Sequence, residues 1–464
     1  MRFRVILFGL LAVAVSAADT IHLKNGRRIV ADKVRTSGDH VEYQIGDNTF
    51  AIPKSLVDHI DAGGVPAAGP GESLPALVPQ TQIKGWEDLR AKLIHDGKVD
   101  PAALAALDKA GDPELAAAAY FVAGSFEAGN GRAEPARLDL EQALRYQPNN
   151  AVILANYANV LLALRRFAEA VPYAEKAVRL APDSFDAQAV LGVAYFQSGR
   201  TKEAIAAWKR ALALQPNATV QGLLDKAERE QAVESNFGEQ ESSHFILRFE
   251  GGQSSPRLRH QILETLEAHY SELVSTLGAE PRDAISVTLY TNQAFFDVTA
   301  APSWTGALND GKLRIPIEGK EEVDSELSRV LKHELAHSFI NQITHGRCPV
   351  WLNEGVAMAV EPRSSAGYGR ELARVFATQT NIPLNQLEGS FLNFSPQQAA
   401  VAYAESLAAV EYIRDSYGMS DVQRILQRIG EGASTESALR ATLHDGYAQL
   451  QDEIAAYLKR TYGD

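Results

Sequence analysis

One spacing in the middle of the sequence restricts the fold more than any other feature: Pro148, Pro182 and Pro216 stand 34 residues apart, twice in succession. A repeat of this length is typical of stacked helix pairs, in which small residues let helices approach closely and proline ends the second helix. Small residues recur in the same register in three sets: Gly124, Ala158 and Gly192; Ala136, Ala170 and Ala204; Ala143, Ala177 and Ala211. The sequence therefore predicts an array of helical repeats.

This pattern resembles the tetratricopeptide repeat family over about residues 117–218, after a helical lead-in from Trp86. We expect the whole repeat region to occupy residues 85–235. Such repeats usually offer a concave surface for peptides, so the resemblance implies a protein partner on the repeat groove. An equally weighted alternative is that the repeats are a spacer that holds the rest of the chain.

The first residues have the layout of a secretory signal peptide. Arg2 and Arg4 precede an apolar run from Val5 to Val15, and small residues follow. This run is too short to span a bilayer comfortably, so we expect residues 1–17 to be a signal peptide and the protein to be periplasmic or secreted. The alternative is an uncleaved anchor or a buried helix. No later segment resembles a transmembrane helix, so no integral membrane span is expected.

Net charge and cysteine content exclude two classes of protein. The 45 Lys and Arg residues against 58 Asp and Glu residues give a net charge of −13, which disfavours broad binding to nucleic acid phosphates. Cys348, the one cysteine, has no partner for an internal disulfide. We therefore expect neither a nucleic acid partner nor a disulfide scaffold.

Two short regions separate the signal peptide from the repeats. Residues 19–61 alternate apolar strands with turn pairs at Asn25-Gly26, Gly38-Asp39 and Gly46-Asp47, which predicts a small all-β module. Residues 62–84 are rich in Gly, Pro and Ala without any periodicity, which is typical of a linker.

The candidate chemistry is concentrated in one predicted helix. Within ELSRVLKHELAHSFINQI, His333 and His337 lie four residues apart and project from one helical face, where two imidazoles can bind one Zn²⁺. Glu334 lies on the adjoining turn and can reach a water at the metal. The opposite face is predicted to be buried through Leu331, Leu335, Phe339 and Ile340.

Glu354 is the candidate for a third metal ligand, because catalytic zinc keeps three protein ligands. It lies seventeen residues after His337, which leaves room for a turn containing Gly346 and Pro349 before a second helix. Its carboxylate stands within the apolar segment WLNEGVAMAV. A buried carboxylate costs free energy unless it is paired or coordinated, so we predict that Glu354 is a ligand.

HELAH followed by WLNEGVA resembles the gluzincin metallopeptidases, most closely the peptidase MA-like domains, over roughly residues 240–425. The resemblance implies that His333, His337 and Glu354 hold zinc and that Glu334 is the general base and proton shuttle. It also implies a tyrosine that stabilises the oxyanion, for which Tyr403 is the candidate.

Glu361 lies seven residues after Glu354, which predicts that it shares the same helical face and orients a ligand histidine. A surface charge at the end of the helix is an equally weighted alternative. Tyr403 has a competing interpretation as a plain core tyrosine, and Tyr368 or Tyr412 could take the oxyanion role instead.

Two further residue types that bind zinc occur nearby but are not expected to be ligands. His345 follows His337 by eight residues, whereas the metzincin pattern requires a Gly and a His where Ile340 and Ile343 stand. We interpret His345 as a loop histidine. Cys348 is interpreted as a small packed residue, because thiolate ligands are commoner in structural zinc sites.

The segment TGALNDGKLRIPI precedes the predicted metal helix by about twenty residues. By resemblance to the gluzincins it is expected to form an edge strand that aligns the substrate backbone by β-augmentation. Asn309 and Asp310 are interpreted as turn residues. The glutamate of the aminopeptidase motif is missing, so aminopeptidase activity is not inferred.

These predictions combine into a multidomain chain: a small N-terminal all-β module, an α-helical tetratricopeptide solenoid, and an α+β gluzincin-type domain at residues 240–464. We expect an exported zinc-dependent peptidase that acts on peptide or protein substrates. The alternatives are a repeat-based scaffold with a weakly active or inactive peptidase-like domain, and a zinc hydrolase that does not act on peptides.

Overall fold

The computed structural model describes residues 19–61 and 86–463, with gaps at 25–27, 32, 39, 46–47, 96, 300–306, 310, 318, 362, 390, 392–393 and 395. The predicted signal peptide, residues 1–17, and the predicted linker, residues 62–84, therefore lie outside the described residues. The described chain is mostly helical, with repeated helix pairs and several small sheets. None of its helices is long and apolar enough to cross a membrane.

The N-terminal strands form two small antiparallel sheets. The strands are β1 (Asp19–Leu23), β2 (Arg28–Ala31), β3 (Lys33–Ser37), β4 (His40–Ile45), β5 (Asn48–Pro53) and β6 (Val57–Asp61). One sheet has the order β2-β1-β6 and the other β3-β4-β5. Ile21 and Val41 are buried at the centre of a small apolar cluster. Gly38 turns the chain between β3 and β4 at a φ of 58°, a left-handed conformation that favours glycine.

The predicted helical lead-in from Trp86 consists of two short helices with a small ribbon between them. Helix α1 (Trp86–Leu93) and helix α2 (Pro101–Asp108) are separated by a two-stranded ribbon, β7 (Ile94–His95) and β8 (Lys98–Val99). Gly97 supplies the left-handed turn of this ribbon at a φ of 71°. Asp100 then caps the N-terminus of α2 through its carboxylate.

The repeats form consecutive antiparallel helix pairs followed by a single helix. The elements are α3 (Pro113–Gly129), α4 (Ala133–Tyr146), α5 (Ala151–Ala163), α6 (Phe167–Leu180), α7 (Phe185–Gln197), α8 (Thr201–Leu214) and α9 (Ala218–Glu234). Helices α4, α6 and α8 each end two residues before one of the periodic prolines. The 34-residue spacing thus marks the end of each pair, as the sequence predicts.

Small residues lie where the paired helices approach each other most closely. An added Cβ on Gly192 would collide with the indole ring of Trp208, which is fully buried on α8. A Cβ on Gly124 would come within 2.8 Å of Leu140 on α4 in the same way. A side chain at either position would force the two helices apart, which explains the recurrence of small residues in register.

A five-stranded sheet follows the repeats. Its strands are β9 (Gly238–Glu241), β10 (Phe245–Phe249), β11 (Ile285–Tyr290), β12 (Leu308–Asn309) and β13 (Leu313–Pro316). Helix α10 (Pro256–Leu277) connects β10 to β11, and helix α11 (Asn292–Thr299) follows β11. The strand order is β12-β13-β11-β10-β9. The three central strands are parallel, and the two edge strands β9 and β12 are antiparallel to their neighbours.

The two faces of this sheet have opposite character. Alternate residues of the central strands are apolar and buried in the main core, namely Phe245, Leu247, Val287, Leu289, Leu313 and Ile315. On the other face Arg248, Thr288 and Arg314 stand side by side in the register of the three strands. Arg314 is fully buried there, so the charged face is also covered.

In the described residues that follow, seven α-helices carry and surround the candidate site. They are α12 (Ser325–Thr344), α13 (Val350–Val360), α14 (Gly369–Ala377), α15 (Pro396–Tyr417), α16 (Met419–Gly430), α17 (Thr435–Leu443) and α18 (Tyr447–Tyr462). The predicted buried face of α12, with Leu331, Leu335, Phe339 and Ile340, is confirmed. Helix α13 packs closely on α15. The two helices are so close that an added Cβ on Gly355 would collide with the carbonyl oxygen of Ser406.

Each of the three turns within the helix pairs contacts the C-terminal region. The carbonyl of Gly131 accepts a hydrogen bond from Arg347, and the backbone N–H of Phe167 donates to Asp283 at 3.0 Å. The carbonyl of Gly199 accepts from the guanidinium of Arg248 at 3.4 Å. The repeats therefore lie directly against the region that follows them.

Substituting Gly192 by Val should destabilise the repeats by about 1–3 kcal/mol, because the new side chain overlaps Trp208 in a packed interface. Gly222 on α9 is the matched control, since nothing lies within 4 Å of an added Cβ there. Gly222→Ala should instead stabilise the helix by about 1 kcal/mol through helix propensity. Urea unfolding followed by circular dichroism measures both, and equal effects of the two substitutions would contradict this packing.

Candidate metal centre

Three side chains converge at one point between α12 and α13. The ligand atoms offered by His333, His337 and Glu354 all lie within 4.8 Å of one another. The Nε2 atoms of His333 and His337 are 3.2 Å apart. The Oε2 atom of Glu354 lies 3.5 Å from Nε2 of His333 and 3.8 Å from Nε2 of His337. Zinc bonds of 2.0–2.2 Å in tetrahedral geometry place ligand atoms about 3.3–3.6 Å apart, so this spacing suits zinc.

Helix α12 and the connector after it position these ligands. Asp324 caps the helix by accepting from the N–H of Leu327. The helix ends at His345, which adopts a left-handed conformation at a φ of 52° and turns the chain towards α13. The Nη2 atom of Arg347 donates to the carbonyl of Ile429 at 2.7 Å at the end of α16, which anchors the connector between the two ligand helices.

Asn353 orients one of the two candidate ligand histidines. Its Oδ1 atom lies 2.9 Å from Nδ1 of His337, so the imidazole donates there and its Nε2 stays available as a ligand. Sequence reasoning missed this residue. The available signal was its position immediately before Glu354 in an otherwise apolar segment.

Glu361 contacts the other candidate ligand histidine, with its Oε1 atom 3.5 Å from Nδ1 of His333. The carboxylate is buried and paired with Arg329 at 2.7 Å and with Arg363 at 3.1 Å. The predicted placement on the same helical face as Glu354 is wrong, because α13 ends at Val360 and Glu361 is extended. Proline follows Glu361 in the sequence, and a residue before proline disfavours the helical conformation.

The site carries more acidic than basic groups. Burial tends to lower the pKa of His333, but Glu354 and Glu361 outweigh it and raise that pKa to about 10. Burial likewise opposes ionisation of Glu354, yet the neighbouring His337 and His333 hold its pKa below the ordinary value. The raised pKa of His333 indicates that the surrounding carboxylates favour positive charge at that side chain, as they would favour a cation, whereas the lowered pKa of Glu354 keeps its carboxylate ionised.

Glu334 is buried beside the three converging side chains. Burial is the main reason that its pKa is raised, and the charges of Glu354 and Glu361 add to the effect. The two histidines act in the opposite direction. A proton shuttle works best when its pKa lies near the operating pH, so an upward shift from the ordinary carboxyl pKa is the direction that this role requires.

Tyr403 is near enough to the candidate site for two of its carboxylates to influence the pKa of the phenol. Burial is the first cause of its raised pKa, followed by the charges of Glu354 and Glu334, so the phenol stays protonated. The competing tyrosines have other surroundings. Tyr412 donates to Glu453 at 2.5 Å, and after burial the largest influence on the pKa of Tyr368 is Glu411.

The two rejected ligand candidates lie in the connector. His345 forms the C-cap of α12, where burial lowers its pKa. Burial, then the charge of Glu354, raises the pKa of the Cys348 thiol well above its ordinary value. Neither belongs to the converging group of three in the described part of the chain.

Asn309 does more than turn the chain. Its Oδ1 atom accepts from the N–H of Gly311 at 3.1 Å, which is the expected turn contact. Its Nδ2 atom also donates to the carbonyl of Glu334 and to Oγ of Ser338, each at 2.7 Å. The edge strand β12 is therefore attached to the helix that carries the candidate ligands. Asp310 lies outside the described residues.

Comparison with known families agrees with this arrangement. Residues 267–460 match the Peptidase MA superfamily, and residues 156–219 match the tetratricopeptide repeat. The chain thus carries a Peptidase MA superfamily domain preceded by tetratricopeptide repeats, and the resemblance predicted from the sequence is confirmed.

Individual relatives cover only parts of the chain. The Hsp70-Hsp90 organizing protein of Triticum aestivum is 34% identical over 87 residues, which is 19% of this chain and 15% of that protein. The solved structures "MamA RS-1 ArsTM double mutant" and "MamA AMB-1 C2221" share 24% and 23% identity. Each match spans 28% of this chain, and the matches span 74% and 78% of the two solved chains, respectively. The TM-score of each match is 0.25. Such low scores say nothing about the overall fold.

Replacing Glu361 by Gln should weaken zinc binding about 10- to 100-fold, because the uncharged amide no longer strengthens His333 as a ligand. Competition with a chromogenic chelator measures the affinity. Glu326 is the matched control, since it pairs with the same Arg329 but is exposed. Glu326→Gln should leave the affinity unchanged, and an equal loss in both variants would contradict a specific role for Glu361.

Proposed function

We propose that this chain is a zinc-dependent peptidase of the gluzincin type. The observation that supports this most directly is the convergence of His333, His337 and Glu354 with Glu334 buried beside them. Two imidazoles and one carboxylate form a donor set typical of catalytic zinc, which needs a further open position. The side chains of His333 and Glu354 are each 18% exposed, so the centre is partly open to solvent.

A bound zinc ion would act as a Lewis acid on the scissile carbonyl and lower the pKa of a water ligand. Glu334 would take the proton from the attacking water and pass it to the leaving amine. Its raised pKa suits both directions of transfer. Asn353 and Glu361 would hold the two imidazoles in the orientation that presents Nε2.

Tyr403 would donate a hydrogen bond to the oxygen that becomes negatively charged in the transition state. Its raised pKa keeps the donor proton in place. The edge strand β12 would pair with the backbone of an extended peptide by β-augmentation. Asn309 ties that strand to α12, so the peptide would lie beside Glu334.

The remaining regions have proposed roles in location and recruitment. We assign residues 1–17 to a signal peptide and the mature protein to the periplasm or the exterior, on the pattern of charges and apolar residues there. Residues 19–61 would be a small all-β module, and residues 85–235 a repeat region that recruits a substrate or partner protein.

Glu334→Gln should leave about one zinc per chain but lower peptide hydrolysis about 10²–10⁴-fold, because the proton shuttle is lost while the ligands remain. Zinc content by atomic emission and hydrolysis of a quenched-fluorescent peptide library measure the two effects.

Absence of zinc from carefully purified parent protein would overturn the enzyme proposal. Zinc without hydrolysis of any library peptide by the parent would favour the alternative, a repeat-based scaffold with an inactive peptidase-like domain.

Tyr403→Phe should lower kcat about 10²–10³-fold with little change in KM, because the donor acts mainly in the transition state. Tyr412→Phe is the control, since its hydroxyl bonds Glu453 away from the site. Full activity of Tyr403→Phe would contradict the oxyanion role and favour the alternative, in which Tyr403 is a core tyrosine.

A further inference from the structure

The repeat array covers the charged face of the five-stranded sheet. Arg314 on β13 donates to Glu230 on α9 at 2.7 Å and to the hydroxyl of Tyr290 at 2.7 Å. Glu234, one turn further along α9, accepts from the same hydroxyl. Glu230 and Arg314 are both fully buried, so this contact is an interior joint between the repeats and the sheet.

Lys312 connects the same contact region to the hairpin formed by β12 and β13, in which β12 is the edge strand. It immediately precedes β13 and is only 4% exposed. Its Nζ atom pairs with the carboxylate of Glu230 and lies 4.4 Å from the ring centroid of Phe196 on α7. The ammonium group is thus held between two helices of the repeat array by an ion pair and a cation–π contact.

The neighbouring residue allows this close approach. Gly311 has a φ of 105°, which favours glycine, and a Cβ there would come within 3.0 Å of Oε1 of Gln197. The turn of the hairpin therefore lies directly against the end of α7. On the side towards the metal centre, Asn309 bonds Glu334 and Ser338 of α12.

The hairpin formed by β12 and β13 is consequently held from two sides. The repeats hold Lys312, and the helix with the candidate metal ligands holds Asn309. Buried ion pairs contribute little net stability compared with apolar packing, because desolvation offsets their attraction. Their directional geometry instead favours one position of the groups that they join.

We propose that Lys312 and Glu230 are positioning residues, through which the repeat array sets the place of strand β12 beside the metal centre. This inference rests on the proposed function, since it concerns the strand assigned there to substrate alignment. The repeats then take part in binding the scissile segment of a peptide without touching it.

The test uses the full chain with Lys312→Met, which keeps an apolar stem over Phe196 and removes the ammonium group. Without the ammonium group, the joint has one more buried carboxylate than buried cations. A double variant, Lys312→Met with Glu230→Gln, restores the charge balance, because Arg314 keeps Glu234 as a partner at 3.4 Å, and it is expected to recover part of any lost stability. Arg248→Met is the matched control, because it breaks a repeat contact at β10, on the far side of the sheet from β12.

Two measurements are made on each variant. Hydrogen–deuterium exchange followed by mass spectrometry reports on residues 307–317, and hydrolysis of fluorescein-labelled casein gives KM and kcat. Both Lys312 variants should exchange at least about tenfold faster in that segment, including the double variant with recovered stability. Their KM for casein should rise about three- to tenfold with kcat nearly unchanged, because substrate alignment is weakened. Arg248→Met should change neither.

A double variant that regains both thermal stability and normal exchange at residues 307–317 would overturn the proposal, because Lys312 would then act on stability alone. Equal changes in Arg248→Met would overturn it too. The exchange experiment does not depend on catalysis. If the parent protein hydrolyses neither casein nor any library peptide, the proposed function fails while exchange still decides whether the repeats position β12.

Discussion

Three carboxylates share a small buried space with two imidazoles, and this imbalance of charge is the constraint on which the surrounding structure depends. Glu334, Glu354 and Glu361 cannot all be ionised there unless positive charge compensates them. Arg329 and Arg363 neutralise one carboxylate from outside. A cation held by His333, His337 and Glu354 would remove the rest of the imbalance. The capping of α12, the anchored connector and the close packing of α13 on α15 all serve to hold these groups together against their repulsion.

The parts of the site that follow from local periodicity could be predicted from the sequence. His333 and His337 share a face because four residues make about one helical turn, and Glu354 stands out against apolar neighbours. Glu361 was placed by extending the same periodicity past its end, and the following proline overrides it. Asn309 could not be assigned, because its bond to Glu334 spans 25 residues and depends on how a hairpin packs against a helix.

In the fold, too, local patterns predict some features, whereas others depend on contacts between distant parts of the chain. The helix pairs could be predicted because a 34-residue period repeats the same local contacts, and their boundaries follow the prolines. The joint between repeats and sheet had no such signal. Glu230 on a repeat helix and Lys312 before a strand each have the composition of surface positions, and 82 residues separate them. Their burial depends on the sheet presenting its charged face to α9, which no local pattern encodes.

The contacts of the three turns within the helix pairs limit how this architecture can vary. Gly131, Phe167 and Gly199 each meet a different part of the C-terminal region, and their spacing is set by the rise of the array from one helix pair to the next. Inserting or deleting a pair between α3 and α9 would shift at least one turn away from its acceptor or donor and move Glu230 away from Lys312. The number of helix pairs between α3 and α9 is therefore fixed by the dimensions of the region that they contact, whereas most repeat arrays can gain or lose internal repeats freely.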